Sequence, residues 1–265
     1  MTEESNCVFD YMAEAYDQDF SDTAVGKAQR NVVWRYLSDQ LLIRVGHTCL
    51  EMNAGTGIDA AHLAQFGMNV KATDKSPGMT AFLRMRAQEH NFEAFNLAFN
   101  ELPNHFSEEK FDLLFSNFGG LNCVNRTELK ELLHSLSGIT KPGGRLVMVI
   151  MSKSCVWEKL YFSFKLKFRK AWRRHQQTGV PFKYGGESIN IHYFNPFDIL
   201  NIIGEEWLLK GIRPVGLFIP PSYLDQFFKN RKGLLEKLVD LDKRFSKPSL
   251  SRWADHFIID FQRAG

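Results

Sequence analysis

The chain has 265 residues, of which 44% are hydrophobic and 24% charged, a composition ordinary for a soluble globular protein. Its formal net charge of +3 is too small to indicate nucleic-acid binding by itself. The sequence has no run of about 18 apolar residues and no signal pattern at its polar N-terminus, which predicts neither a membrane span nor export. The four cysteines (Cys7, Cys49, Cys123, Cys155) form no CxxC pair, which favours reduced thiols in a cytoplasm over a zinc site.

Residues 6–44 are predicted to form two helices ahead of the first strand. Apolar residues recur at helical spacing on both sides of an acidic turn that contains Asp17, Asp19 and Asp22. The simplest interpretation is that both helices dock on the core of the protein.

A strand is predicted at Thr48–Met52, followed at once by a glycine turn and a helix that runs to Phe66. Glycine at positions 55 and 57 allows backbone angles that a Cβ would oppose, and it lets a ligand lie on the main chain. The first amides of the new helix can hold polar or anionic groups. The stretch therefore predicts a nucleotide-binding crevice, and the alternative is an ordinary strand–turn–helix without a ligand.

Gly55-x-Gly57-x-x-Ala60 is by itself a weak match to a dinucleotide fingerprint, so an NAD(P) oxidoreductase stays open. Glu51 favours another ligand, because a carboxylate at the strand end repels phosphates and suits a cationic group. The pattern Glu-x-Asn-x-Gly-x-Gly resembles motif I of the class I S-adenosylmethionine (SAM) methyltransferases, whose cofactor carries a sulfonium and an α-amino group. The resemblance implies that Glu51 meets the methionine end of the cofactor. It also implies a backbone cradle at Asn53, Ala54, Gly55 and Gly57.

The resemblance extends to the segment before the first strand. FDYMAEAYDQDF followed by GKAQR is similar to the lid helix that covers the cofactor in many small-molecule methyltransferases. On that resemblance Tyr11, Tyr16 and Arg30 are lid candidates, and Tyr16 is also a candidate on the acceptor side.

A second strand is predicted at Val70–Asp74 and again ends on a carboxylate. Ser76 and Pro77 are suited to the cap and the first position of the helix that follows. An acid at this place in an α/β sheet typically binds ribose hydroxyls, which predicts that Asp74 holds the nucleoside. The alternative is a charge partner for the helix N-terminus. Lys75 is expected to flank the adenine.

A third strand is predicted at Glu93–Phe99. Related methyltransferases often carry an Asp shortly before a Leu-Pro at this point, where it contacts the adenine amino group. This chain has Ala98-Phe99-Asn100-Glu101-Leu102-Pro103 and departs from the pattern. Packing by Phe99, a contact from Asn100 or the backbone is expected to replace the missing acid.

Residues Phe111–Ser116 predict a buried fourth strand, because their continuous apolar run suits a parallel sheet covered on both faces. The next residues, Asn117-Phe118-Gly119-Gly120-Leu121-Asn122-Cys123, would lie beside the first strand, at the switch point where ligands bind. FDLLFSNFGGLNC resembles the corresponding motif of a bacterial methyltransferase subfamily. The resemblance implies that Asn117 and Phe118 border the sulfonium and that Asn122 lies on the acceptor side, whereas a loop without a chemical role is the alternative.

The segment from residue 152 to residue 195 interrupts the alternation of strands and helices. Its aromatic and basic residues between 153 and 174 are opposed only by Glu158. The pattern fits helices, and the resemblance implies an insert that caps the acceptor pocket. A solvated basic face is the simplest interpretation. Alternatives are attraction of an anionic acceptor, of an acyl-carrier partner, or of a membrane surface. Nucleic acid is not expected, because no recognised binding module accompanies the patch.

His192 follows this insert and could accept a proton from an acceptor, since an imidazole titrates near neutral pH. A structural role is the alternative for a lone histidine. A helix is then predicted from Asn195-Pro196, a sixth strand at Ile212–Ile219, helical segments to Phe245 and a last strand at His256–Phe261. LFIPPSYL and DHFIIDF also resemble the C-terminal layout of the subfamily.

Together these observations predict a doubly wound α/β fold with a mostly parallel, seven-stranded, Rossmann-like methyltransferase sheet and a helical cap insert. The expected parts are lid helices (1–44), a SAM-binding core (45–151), the cap (152–195) and the C-terminal part of the core sheet (196–265). The expected activity is in-line methyl transfer from SAM to an O, N or C atom of a small-molecule acceptor, without a metal. The alternatives are an NAD(P) oxidoreductase and a non-catalytic SAM-fold binding subunit.

Overall fold

The structure is a computed structural model that describes residues 8–265. The expectations about the polar N-terminus, Cys7 and the first two residues of the predicted N-terminal helices lie outside the described residues. Within residues 8–265, no helix is both long enough and apolar enough to cross a membrane.

The core is one seven-stranded sheet with the strand order β3-β2-β1-β4-β5-β9-β8. Strands β1 to β5 run parallel, and β9 is antiparallel to both β5 and β8. The predicted doubly wound, mostly parallel sheet is thereby confirmed. The strands of this sheet are β1 Thr48–Met52, β2 Asn69–Asp74, β3 Glu93–Asn96, β4 Phe111–Ser116, β5 Thr140–Met151, β8 Trp207–Val215 and β9 His256–Arg263.

Helices cover both faces of this sheet, because its central strands are apolar on both sides. Leu113, Leu114 and Phe115 of β4 are almost completely buried, and alternate residues pack into two separate clusters. One cluster includes α6, and the other includes α2, α3 and α4. The longer helices are α1 Val8–Tyr16, α2 Ala24–Asp39, α3 Ile58–Gln65, α4 Pro77–His90, α6 Arg126–Leu136, α7 Val156–Phe164 and α11 Lys232–Arg244. The short ones are α5 Leu102–His105, α8 Phe168–Ala171, α9 Pro196–Leu200 and α10 Asp225–Phe228.

Several predicted boundaries differ from the structure. The strand expected at Ile212–Ile219 is Trp207–Val215, and the strand expected to continue to Phe99 ends at Asn96. Strand β5 begins at Thr140, and its Lys-Pro-Gly-Gly segment spans an irregularity in the pairing with β4. β3 and β8 end at other residues than predicted, because pairing with neighbouring strands decides where a strand stops and the local sequence does not show that pairing.

The insert contains a feature that the sequence analysis missed. Besides α7 and α8 it holds a two-stranded antiparallel hairpin, β6 (Val180–Tyr184) and β7 (Glu187–Ile191). The Gly185-Gly186 pair turns the hairpin, and both glycines have positive φ. A two-residue turn of this kind is a standard hairpin signal, so the hairpin was recognisable from the sequence.

Replacement of Phe257 by Ala should lower the free energy of unfolding by about 3–5 kcal/mol, because it leaves a cavity in the core. Phe257 lies on β9, and its side chain is completely buried. Urea denaturation followed by circular dichroism measures the loss. Phe66, which is 53% exposed, provides the matched control, and Phe66→Ala should change stability by less than about 1 kcal/mol. Equal losses in the two variants would contradict the assignment of Phe257 to the core.

Candidate functional site

The strand order reverses at β1 and β4, which opens a crevice at their carboxyl ends. The helices that follow these strands, α3 and α6, pack on opposite faces of the sheet. The crevice therefore lies between the loop after β1 and the loop after β4, where doubly wound sheets bind ligands. Residues at the ends of β1, β2 and β4 meet there.

The loop after β1 has the tight backbone that its sequence predicts. Asn53, Gly55 and Gly57 all have positive φ, at 53°, 58° and 87°. The amide of Ala54 donates to the carbonyl of Thr73 at 2.8 Å, which ties this loop to β2. At Gly57, the N-cap of α3, a Cβ would lie 2.5 Å from Cδ1 of Leu83, so only glycine fits.

Glu51 lies at the end of β1 and is 1% exposed. Its Oε2 is buried and has no hydrogen-bond partner among residues 8–265. Burial raises the pKa of this carboxyl well above its ordinary value, and Asp59 and Asp74 raise it further while Arg30 opposes the rise. A buried carboxyl oxygen without a partner, beside other acids, is costly, and a cationic ligand group would relieve that cost.

Asp74 ends β2 on the other side of the glycine loop. Its carboxylate accepts from the amide of Gly55 at 2.8 Å and from the amide of Ser76 at 2.9 Å. Burial raises its pKa to about 6, Asp10 adds to the rise, and the two amides oppose it. Asp74 is thus fixed at the rim of the loop with lone pairs left for further donors.

Asp59 in the first turn of α3 connects α2 with the loop after β4. It accepts from Nε1 of Trp34 at 2.6 Å and from Nδ2 of Asn117 at 3.0 Å, and it forms an ion pair with Arg30. The guanidinium carbon of Arg30 lies 5.4 Å from the ring centroid of Phe118. Asn117 and Phe118 therefore lie at the crevice, held by Asp59 and Arg30.

The loops after β1 and β4 are bonded directly to each other. Nδ2 of Asn53 donates to the carbonyl of Asn117 at 2.9 Å, and Oδ1 of Asn53 accepts from the hydroxyl of Ser116 at 2.6 Å. A Cβ at Gly120 would lie 2.1 Å from Cγ of Asn53. The side chain of Asn53 thus joins the two loops.

Helix α1 and the turn after it close over the glycine loop. Asp10 accepts from the hydroxyl of Ser76 and the amide of Gly78 at the start of α4. Asp17 accepts from the hydroxyl of Thr56 at 2.7 Å and pairs with Arg86 at 3.0 Å.

The ring of Tyr16 covers Gly55. A Cβ built at Gly55 would meet Cε1 of Tyr16 at 3.9 Å. Burial raises the pKa of Tyr16 to about 12; Arg30 lowers it, whereas Asp74 and Asp17 raise it. The ring of Tyr11, also on α1, packs against Gly185 of the β6–β7 hairpin, so α1 and the insert meet.

Asn122 and His192 are joined through main-chain groups. Asn122 is completely buried; its Oδ1 accepts from the amide of Met151 at 2.9 Å, and its Nδ2 donates to the carbonyl of His192. The amide of His192 donates back to the carbonyl of Asn122 at 2.7 Å. The His192 ring lies beside Gly179 at the base of the hairpin.

Three predicted site residues lie at the margin of the crevice. Lys75 is exposed, and its carbonyl accepts from Nδ2 of Asn96 at 3.0 Å. Phe99 packs against the core cluster that contains α6. Asn100 is exposed, and its side chain makes no hydrogen bond within the described part of the chain.

Several residues that shape the site were not predicted from the sequence. Asp59, Asp17 and Arg86 carry the contacts between the N-terminal helices and the glycine loop. A signal existed for Asp59, which follows the second glycine of the motif, and for Asp17 in the acidic turn. Arg86 lies in mid-helix and its role depends on tertiary packing.

Replacement of Gly57 by Ala should destabilise the protein more than replacement of Gly46 by Ala. Both glycines have similar positive φ, at 87° and 80°, but a Cβ at Gly46 meets nothing within 4 Å. We expect a loss of about 1–2 kcal/mol in Gly46→Ala from backbone strain alone, and a further 1–3 kcal/mol in Gly57→Ala from the contact with Leu83. Chemical denaturation measures both, and equal losses would contradict close packing at Gly57.

Comparison with known proteins agrees with this architecture. Residues 49–144 match the family model described as "Methyltransferase domain". The chain is 33% identical over 164 residues to a demethylmenaquinone methyltransferase of Paenarthrobacter aurescens, covering 60% of each chain. It is 36% identical over 146 residues to the enzyme of the same name from Clavibacter sepedonicus, covering 54% of this chain and 56% of that one. The match thus spans somewhat over half the length of these relatives.

A solved structure shares the fold across nearly the whole chain. The CcbJ methyltransferase from Streptomyces caelestis superposes with a TM-score of 0.63 at 14% identity, covering 98% of this chain and 99% of that one. The domain match, the strand order and the acidic strand end before the glycine turn agree with one another. Residues 49–144 thus match a methyltransferase domain, and the chain as a whole has the Rossmann-like methyltransferase fold.

Proposed function

We propose that this protein transfers a methyl group from SAM to a small-molecule acceptor. The observation that carries the proposal is the buried, unpartnered Oε2 of Glu51 beside the bare turn of Gly55. An NAD(P) site needs room for two phosphates, which this carboxylate would repel. The α-amino group of SAM would instead place a positively charged partner beside Oε2 of Glu51.

The residues of the crevice fit such a cofactor in three places. Glu51 would bind the amino group of its methionine part, the turn around Gly55 would carry its chain, and Asp74 would accept from the ribose hydroxyls. Lys75, Phe99 and Asn100 are proposed near the adenine, and Asn117 and Phe118 near the sulfur. When bound, the sulfonium supplies an activated methyl group, so the protein needs no nucleophile of its own.

The chain's own contribution would be to orient the acceptor and to exclude water. Tyr16 covers the glycine loop, and α1 is fixed at two points by Asp10 and Asp17. The hairpin β6–β7 meets α1 at Tyr11. Tyr16, His192 and Asn122 are proposed on the acceptor side, with Asn122 acting through the main chain of His192.

The relatives' names suggest a first acceptor to test, the quinol form of a demethylmenaquinone with a short side chain. Such a ring is flat and aromatic, which suits the aromatic insert. An anionic or carrier-bound acceptor is the other chemistry that the basic insert favours.

We also propose that the insert contacts a membrane surface. The segment from Phe164 to Trp172 exposes Phe164 (86%), Leu166 (78%) and Phe168 (56%) at the end of α7 and the start of α8. Large apolar side chains this exposed and this close together are typical of an interaction surface.

Basic residues alternate with these apolar ones. Lys165, Lys167, Arg169 and Lys170 are exposed, and within residues 8–265 none of them pairs with an acid. The one acid between residues 153 and 174, Glu158, is buried and bonded to Arg173 and Arg174. The segment from Phe164 to Trp172 is the exposed tip of the insert. Its apolar side chains and its four cations without acidic partners are complementary to the headgroup region of an anionic bilayer.

Binding of S-adenosylhomocysteine (SAH) should weaken as the pH falls through about 6, because Asp74 must be ionised to accept from both ribose hydroxyls. Protonation turns one of its acceptors into a donor. Asp74→Ala should weaken binding at pH 7.5 by about 1–3 kcal/mol and show less dependence on pH. Isothermal titration calorimetry measures both effects. Asp39 is exposed at the end of α2, so Asp39→Ala provides the matched control. An unchanged affinity for SAH in Asp74→Ala would refute the ribose role.

SAH should raise the melting temperature, whereas NADH should not. Ligand that binds the folded state alone stabilises it by mass action. Stabilisation by NADH alone would overturn the proposal in favour of an oxidoreductase. Stabilisation by SAH without methylation of any acceptor in a cell extract, followed with labelled SAM, would favour a non-catalytic binding subunit.

Phe164→Ser should lower partition to vesicles that contain phosphatidylglycerol by about tenfold or more, since it removes one inserted aromatic side chain worth about 1.5–3 kcal/mol. Co-sedimentation measures the partition. Phe66→Ser, which also removes an exposed phenylalanine but lies outside the insert, should bind like the wild type. Binding to neutral phosphatidylcholine vesicles should be weaker. Equal loss in both variants, or no dependence on lipid charge, would contradict the membrane contact.

A further inference from the structure

A second histidine lies at the carboxyl end of the core sheet, apart from His192. His256 is the first residue of β9 and pairs with Met151 of β5 and Val215 of β8. Because β9 is antiparallel to β5, its first residue lies at the edge where the parallel strands end. His256 is 9% exposed and lies at the level of the loop after β4.

The ring of His256 contacts the proposed methyl-transfer region through Phe118. The two rings lie edge to face, with centroids 5.2 Å apart and an interplanar angle of 83°. On the same phenyl ring, the guanidinium carbon of Arg30 lies 5.4 Å from the centroid. Phe118 thus lies between Arg30 of α2 and the imidazole of His256.

One ring nitrogen of His256 lies close to a carboxylate. Nδ1 is buried and lies 3.3 Å from Oδ2 of Asp255, within ion-pair distance but without a hydrogen bond in this conformation. Nε2 has no hydrogen-bond partner among residues 8–265. By comparison, His192 has no carboxylate partner within the described residues, and its main-chain amide and carbonyl are hydrogen-bonded to Asn122.

Asp255 is held in place by the insert. Its Oδ1 accepts from Arg174 at 2.8 Å, and Arg174 in turn donates to Glu158 of α7 at 2.8 Å. Gln29 of α2 approaches Oδ2 of Asp255 at 3.4 Å. Burial would raise the pKa of Asp255, but His256 in its protonated form and the permanently charged Arg174 outweigh it and hold the pKa below its ordinary range. Asp255 is therefore ionised and fixed in orientation.

We infer that His256 accepts the proton of the methyl acceptor through Nε2, with Asp255 as the positioning residue and Arg174 fixing Asp255 from the insert. This inference rests on the proposed function. The acceptor atom forms a bond to the methyl carbon as the bond from sulfur to that carbon breaks. The proton of the acceptor's hydroxyl moves to Nε2, and neutral SAH leaves. Where the acceptor atom is a ring carbon, the hydrogen on that carbon then leaves as a proton and restores the hydroxyl, so that one proton in total is released to Nε2.

An ionised Asp255 dictates which nitrogen of the neutral ring carries the proton. A carboxylate accepts from N–H, so Nδ1 should be protonated and Nε2 should keep its lone pair free. The carboxylate also stabilises the imidazolium once the proton has been accepted, as in other carboxylate–histidine pairs. The arrangement makes the insert a requirement for catalysis, since Arg174 belongs to it.

The tautomer can be observed without any acceptor. Long-range ¹H–¹⁵N NMR of the wild-type protein with SAH, with the resonance assigned by its loss in His256→Gln, should show neutral His256 protonated at Nδ1. A ring protonated at Nε2 would overturn the inference. This readout does not depend on turnover.

Kinetics then test the proton transfer, with a short-chain demethylmenaquinol as the acceptor probe. His256→Gln should lower kcat about 100-fold or more while the Kd for SAH stays within about twofold of wild type. Added imidazole should restore part of the rate in His256→Ala, which a structural role would not allow. His175→Gln, which changes an exposed histidine of the insert, should keep wild-type kcat.

The failures of the two proposals are distinguishable. Absence of heat on titration with SAH would refute the proposed function. Retained SAH binding and full kcat in His256→Gln, or loss of kcat in His192→Gln instead, would refute the inference alone. If the melting temperature falls further in His256→Gln than in His175→Gln, the loss of kcat does not separate a catalytic role from a structural one. In that case the tautomer of the wild-type ring and the rescue of folded His256→Ala by imidazole decide whether the inference holds.

Discussion

Glu51 brings a carboxylate oxygen to the end of β1, where it is shielded from solvent and has no hydrogen-bond partner among residues 8–265. Burial of this kind raises the pKa of the acid and costs stability unless a positive group arrives. Asp59 and Asp74, the nearby acids, add to that cost, and Arg30 offsets part of it. A cationic ligand group in the crevice would relieve that cost, and the surrounding contacts keep the carboxylate in its place.

Those contacts come from parts of the chain that are far apart in sequence. Asp59 joins α2 to the loop after β4, and Asn53 joins that loop to the loop after β1. Asp17 and Asp10 fix the first helix over the start of α4 and the glycine turn. The site therefore depends on contacts spread over residues 10–118, although its recognisable sequence motif covers only a few residues.

Sequence alone predicted the elements whose causes are local. The buried strand Phe111–Ser116 and the turn at Gly55 and Gly57 were predicted because apolar runs and glycine spacing act within a few residues. The hairpin after Val180 was missed, although its paired glycines were a usable signal. The role of Asn122 stayed open between a chemical and a structural one, because only the fold shows its amide bonded to the main chain of Met151 and His192. Likewise, nothing local indicates that Asp255 would meet Arg174 across 81 residues.

The insert connects two aspects of the account. Its exposed tip at Phe164 and Leu166 is proposed to contact a bilayer, and its buried Arg174 fixes Asp255 beside the crevice. The measurement that tests the central claim most directly is a crystal structure of the protein with SAH. We predict that the α-amino group of SAH lies within hydrogen-bond distance of Oε2 of Glu51 and that the ribose lies on Asp74. An adenosine bound elsewhere, or an Oε2 that stays without a partner in the complex, would contradict the account.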